Sequence, residues 1–298
     1  LQEVLSMRWK MGALLLLVGI LTLAMVACRP KGQVPGEGLK VYTTFYPLYD
    51  FTAKIVGDKG TVINLQPVGV GPHDYEPSPQ QIAAIHDSKL FVFLGEPMDP
   101  WAKKIEGQLQ VKRVKTVEVG KGLIENNDPH IWTDPVLAQE MARRIYEGVV
   151  QADPANRDYY TENYKRLESR LKELDQKYRS VLSQAKRKEI VTNHAAFGYL
   201  ARRYGLEQIP ITGISPQQEP SPQKMAELIE LIKSRGIKYI FMETLASPKL
   251  AETLARETGA EVLVLNPIGG LTQKEMDAGE DYFSLMEKNL ESLKKALL

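Results

Sequence analysis

Residues 153–188 read DPANRDYYTENYKRLESRLKELDQKYRSVLSQAKRK, and this stretch decides the architecture. Asp153 stands as an N-cap and Pro154 takes the first helical position, where a missing N–H costs nothing. Tyr160, Tyr164, Leu167, Leu171, Leu174, Tyr178 and Val181 then recur at alternating spacings of 4 and 3, the apolar stripe of an α-helix. No Gly or Pro interrupts the run to its end. A helix over 154–185 would be roughly 48 Å long, enough to run down two packed lobes. The same heptad spacing permits a coiled-coil dimer seam, although four repeats is the lower limit for that reading.

On both sides of this helix, short β-rich runs alternate with helical stretches. Strands are expected over 40–44, 61–68, 90–94 and 114–119, then over 189–193, 208–213, 238–242 and 261–265. The last three are mostly continuous apolar runs, as in strands buried on both faces of a parallel sheet. This alternation predicts an α/β fold of two doubly wound lobes with parallel sheets. The N-terminal lobe takes 39–152, the connecting long helix 153–187 and the C-terminal lobe 188–298. A continuous helix as connector restricts lobe motion more than crossing loops would. Just before it, Thr133-Asp134-Pro135 caps another helix, with Leu137, Met141, Ile145 and Val149 as its buried stripe.

The 298 residues are 43% hydrophobic and 25% charged, enough to bury a sizeable core. Lys plus Arg number 38 against 37 Asp plus Glu, so no basic field exists to hold nucleic acid. Partner choice must come from local sites.

The first forty residues stand apart. Met7, Arg8 and Lys10 give a basic start, and residues 11–27 form an uncharged apolar run. At about 1.5 Å per residue it spans roughly 25 Å, near or just under a bilayer core. Charged start plus apolar run reads as a secretory signal over 1–28, with a membrane span as the alternative. Cys28 decides between them. It is the only cysteine, so it cannot form an internal disulfide or a cysteine zinc cluster. It sits where the apolar run stops, after Met25-Val26-Ala27, in a segment that resembles a bacterial lipobox with Met25 in place of the usual Leu. Lipid on Cys28 would fix the chain to a membrane from outside, each buried acyl CH₂ contributing about 0.8 kcal/mol. Residues 29–38 (RPKGQVPGEG) read as a flexible tether.

The chain has only four histidines, and three stand in telling places. His73 lies just past the strand at 61–68, in VGVGPHDYEPSP. His130 enters a helix in DPHIWTDP. His194 directly follows the strand at 189–193, in VTNHAAFGYL. Ligands of open α/β sheets bind beyond the carboxyl ends of the strands, so two of these three sit where such a fold places its site. Taken singly, a loop histidine is more often a solvated side chain than a ligand, and PHDYEPSP reads equally as a rigid turn. The coincidence of three carries the functional reading. Imidazole is a preferred zinc ligand, and three of them leave one coordination position open. His86 falls near a helix end, where the dipole favours it, and takes no ligand role. Asn193, Asp128 and Asp134 are the candidates to orient the rings.

PHDYEPSP, DPHIWTDP, TNHAAFGYLARRYGL, ISPQQEPSP and LVLNPIGGLT, in that order, resemble the cluster A-I (cluster 9) metal-binding lipoproteins. These are the solute-binding subunits of zinc and manganese ABC importers. The likeness runs from about Leu39 to the last residue. It implies two lobes bridged by a rigid helix, with the metal between them and His73, His130 and His194 as its ligands. It also implies an ABC permease and its ATPase as partners, an extracytoplasmic lipid-anchored location and a monomer. Manganese members usually have a carboxylate where His194 stands, so the nitrogen-rich set points to Zn²⁺ rather than Mn²⁺.

Two departures from the family follow. The carboxylate that often comes after the last strand is replaced by Gly269 and Gly270, and the long His-rich acidic loop is absent. Water is the first choice for the fourth ligand, with Glu219, Asp277 and Glu76 as carboxylates that could reach in. A site without a carboxylate ligand is expected to keep the full +2 charge and to bind more weakly. The rival readings are a manganese or iron importer subunit, a surface adhesin and a zinc hydrolase. Against the last, no HExxH motif is present.

Overall fold

The computed structural model describes residues 38–298. The signal segment, Cys28 and the tether up to residue 37 lie outside the described residues.

Each half of the chain builds one four-stranded, all-parallel sheet. The first contains β1 (Leu39–Thr43), β2 (Gly60–Asn64), β3 (Leu90–Phe93) and β4 (Lys115–Glu118), in the order β2-β1-β3-β4. The second contains β5 (Glu189–Thr192), β6 (Glu207–Pro210), β7 (Tyr239–Met242) and β8 (Glu261–Val264), in the order β6-β5-β7-β8. Register is fixed by pairs such as Val41↔Leu90 and Val191↔Ile240. The two orders are the same pattern, so the halves repeat one topology and each reverses direction beside its first strand. That reversal opens a crevice at the carboxyl ends of the strands.

The observed strands are shorter than the runs expected from sequence. β2 stops at Asn64, ahead of Pro67, and β6 stops at Pro210; proline offers no N–H to a ladder. Six helices carry most of the remaining core: α1 (Tyr46–Val56), α2 (Pro79–Ile85), α3 (Pro100–Val111), α4 (Pro135–Ala152), α5 (Arg157–Leu182) and α6 (Gly198–Tyr204). The second half adds α7 (Pro222–Arg235), α8 (Lys249–Thr258), α9 (Gln273–Asp277) and α10 (Tyr282–Leu297).

The long helix is α5. It buries Tyr160, Leu167, Leu171, Leu174, Tyr178 and Leu182 against α1 and α4 from one half and α10 from the other. The apolar stripe is therefore consumed within the chain, which removes the basis for a coiled-coil seam. At 26 residues α5 is about 39 Å long, shorter than expected, because Pro154–Asn156 winds as a 3₁₀ turn. Asp153 does not cap it. Its Oδ2 accepts from Tyr160 Oη at 2.6 Å and Asn156 Nδ2 at 2.8 Å. The cap on α4 forms as the sequence suggests: Asp134 Oδ1 accepts from Val136 N at 2.8 Å.

One hydrophobic cluster runs from Leu39 and Val41 of the first sheet to Ile190 and Phe241 of the second. Its aromatic hinge is Trp132, fully buried beside Phe45 with ring centroids 4.8 Å apart. Trp132 Nε1 donates to Pro267 O at 2.6 Å, and Trp132 O accepts from Tyr282 Oη at 2.6 Å. The segment that carries His130 is thus fastened to the second half.

Candidate metal centre

Three loops bring the histidines together. His73 sits in the 3₁₀ turn Pro72–Asp74, reached by the chain leaving β2. His130 precedes the 3₁₀ turn Ile131–Thr133 that leads into α4. His194 stands two residues past the end of β5. Nε2 of His73 lies 3.0 Å from Nε2 of His130, which lies 3.2 Å from Nε2 of His194. His130 and His194 are only 1% and 2% exposed, while His73 is half-buried. Among the described residues this is the one group of three or more His, Cys, Asp or Glu side chains arranged to hold a metal ion.

The protonation pattern follows from the groups behind the rings. Asp128 Oδ1 lies 2.8 Å from His130 Nδ1 and accepts the His130 backbone N–H at 3.1 Å. Glu243 Oε1 lies 2.5 Å from His194 Nδ1 and accepts the His194 backbone N–H at 3.1 Å. A carboxylate only accepts, so both Nδ1 atoms carry the proton and both Nε2 atoms present lone pairs. Such lone pairs repel one another unless a cation sits between them. Two nitrogens bound at 2.0–2.1 Å to one tetrahedral ion stand about 3.3 Å apart, close to the spacings observed.

Burial, and then the charges that His130 and His194 would carry, push the His73 imidazole down to about 3. Burial also pushes His130 down, against the pull of Asp128. Burial thus keeps His73 and His130 in the neutral form that a metal needs. Two glycines allow this packing. A Cβ on Gly198 would lie 2.9 Å from Asp128 Oδ2, and one on Gly269 would lie 2.7 Å from Pro72 Cγ.

The rings face a cavity of ≈ 30 Å³ lined by Pro72, Asp74, Trp132, Glu243, Asn266 and Gly269 among others. That is room for about one or two waters. Glu219, Asp277 and Glu76 are exposed, and none lines this cavity. Asp74 does, but it accepts a hydrogen bond from Gln217 Nε2. Of the three groups expected to orient the rings, only Asp128 does so. Asp134 caps α4 and pairs with Arg203 at 2.8 Å, and Asn193 Oδ1 is buried with no hydrogen-bond partner. Glu243 was not singled out from sequence, although it directly follows β7 and the strand-end rule that marks His194 marks it too. His86 caps the end of α2, away from the cluster.

Asp128 and Glu243 also alter the charge. Two carboxylates one hydrogen bond behind the rings formally balance a dication, so the site does not keep the uncompensated +2 charge expected from its ligands alone.

Two parallel-sheet lobes on a long helix, with a buried three-imidazole cluster between them, define a two-lobed metal-binding protein of the solute-binding class. The chain belongs to the family described as zinc-uptake complex component A, periplasmic (ZnuA), whose pattern it matches over residues 41–296. It is 42% identical to the high-affinity zinc uptake system protein ZnuA of Bacillus subtilis, over 93% of this chain and 94% of that one. It is 39% identical to the zinc-binding lipoprotein AdcA of Streptococcus pneumoniae, over 94% of this chain but only 60% of that longer protein. The crystal structure of the Zn(II)-bound ZnuA-like domain of that AdcA superposes with a TM-score of 0.80 at 41% identity, covering 87% of this chain and 99% of the domain. The laminin-binding protein Lmb of Streptococcus agalactiae superposes with a TM-score of 0.81 at 36% identity, covering 88% and 100%.

Proposed function

We infer that this chain captures Zn²⁺ outside the cytoplasm and hands it to an ABC permease driven by its ATPase, with His73, His130 and His194 as ligands. The observation that carries this reading is the convergence of three Nε2 atoms at 3.0 and 3.2 Å, with the far nitrogens of two rings held by carboxylates. Nitrogen donors favour zinc over manganese, and water takes the fourth position. The reading is of a solute-binding protein rather than an enzyme, which the names of the family and of its relatives support.

The reading includes a signal peptide over 1–28, lipid on Cys28, a tether, two lobes over 39–152 and 188–298, and a monomer. Among the described residues no helix is long and apolar enough to cross a membrane. Metal analysis of protein purified without chelator, followed by competition between Zn²⁺ and Mn²⁺, is the test. Preferential retention of manganese would overturn it. The likeness to laminin-binding Lmb favours adhesion as a second activity of the same fold, checked by binding to immobilised laminin.

A further inference from the structure

All four strands of the first sheet run parallel, so their amino ends form one rim, opposite the histidines. Cations line that rim. Lys89 N donates to Lys40 O at 3.0 Å, and Lys115 N donates to Lys89 O at 3.0 Å. Three lysines therefore stand in series on three adjacent strands. Lys59, immediately before β2, and Lys112 and Arg113, between α3 and β4, join them and are exposed. Among the described residues no ion pair engages Lys40, Lys59, Lys112, Arg113 or Lys115, whereas most arginines elsewhere are paired.

The second sheet repeats the topology without this feature. There Glu207 N donates to Lys188 O and Glu261 N donates to Lys238 O, both at 2.8 Å or less, so each lysine has a glutamate beside it. Helix C-termini on the first rim favour nearby cations, which accounts for Lys59, Lys112 and Arg113. It does not account for the row across the strands. Gathering like charge at one rim costs stability, offset only in part where Lys40 lies over the Tyr42 ring and Lys59 over the Tyr159 ring.

The chain enters the fold at this rim, because Leu39 is the first residue of β1. Cys28 lies 11 residues upstream, a reach of at most about 40 Å. We propose that the basic rim around Lys40, Lys89 and Lys115 docks on an anionic phospholipid surface, laying the first lobe against the membrane with the metal cavity facing away. This rests on the lipid anchor at Cys28. The anchor supplies proximity, and the rim supplies orientation within a Debye length of about 8 Å.

The test uses the lipidated chain with a fluorophore on Val111→Cys, a position 82% exposed next to Lys112. Energy transfer to a headgroup acceptor is measured on phosphatidylcholine vesicles with and without phosphatidylglycerol. The expected result is greater transfer on the anionic vesicles, lost in about 0.5 M salt. Each basic residue at such a surface is worth about fivefold, so the triple variant Lys112→Gln, Arg113→Gln, Lys115→Gln shifts the docking equilibrium on the order of 100-fold. An unchanged melting temperature and zinc affinity confirm that this variant is folded. Equal transfer on both vesicles, or no change in the variant, overturns the docking proposal and leaves the anchor standing. Protein that sediments with neither vesicle refutes the anchor and the proposal together. Capture by an acidic protein with no preference for anionic lipid also overturns it.

Discussion

One oxygen of Glu243 holds His194 at two points, its Nδ1 at 2.5 Å and its backbone N–H at 3.1 Å. The contact ties the end of β7 to the end of β5, its neighbour in the sheet. Ring orientation, tautomer and part of the counter-charge thus come from a residue outside the three-imidazole cluster. Glu243→Gln is expected to weaken zinc binding by 10–100-fold. A chelator competition titration reads this directly, and affinity equal to the parent would remove Glu243 from the site.

His194→Ala removes one of three nitrogen donors and leaves Glu243 buried with no ring to hold. Zinc affinity should fall by at least on the order of 100-fold, since structural sites of about 10–16 kcal/mol divide among few ligands. Calorimetric titration of the variant is the check. Retention of parental affinity would mean that His73 and His130 bind without it.

The depressed imidazoles predict a pH dependence in the metal-free protein. Their folded-state pKa lies below the unfolded value of about 6.5, so the unfolded chain takes the proton first as pH falls. Stability from these groups is whole above pH of about 6.5 and declines below it, by up to about 1.4 kcal/mol per pH unit for each histidine. For His73 the decline runs down to about 3. Buried Asp99, pushed up to about 6, works in the opposite direction, because its folded form takes a proton earlier than the unfolded chain. The histidine contribution is therefore read as the difference between chelator-stripped parent and His73→Gln in urea melts. A flat difference between pH 5 and 7 would contradict it. Proton competition for zinc should also set in below the pH at which free imidazole titrates.

Gly269→Ala tests the packing beside the site. Its Cβ would meet Pro72 Cγ at 2.7 Å, next to His73, and overpacking of this kind costs about 1–3 kcal/mol. Both urea midpoint and zinc affinity should drop. A variant as stable as the parent would show that the Pro72 turn gives way freely.

Much of this was legible in the sequence. Alternating apolar runs marked both sheets, the 4–3 spacing marked α5, and strand-end position marked His73 and His194. What escaped detection depends on distant pairing. His130 and Asp128 are two residues apart, so their partnership could be read from DPH. His194 and Glu243 are 49 residues apart and meet only because β5 and β7 are neighbours, a fact of strand order rather than of composition. The fourth-ligand candidates failed for a related reason. Glu219, Asp277 and Glu76 have the right chemistry, but no periodic pattern reports which way a loop carboxylate points. Asp153 was a sound cap by residue type, yet Tyr160, seven residues on, offered it a better partner.

The fastening of Trp132 to Pro267 and Tyr282 bears on unloading. An ion bound at His130 is expected to leave slowly by loosening of this loop, since the strap beside that ring is stitched to the opposite half. Escape into bulk water should be slow, with long residence of the cargo. Delivery then calls for a receptor that grips both halves and prises them apart, so that zinc passes from hand to hand and is not spilled.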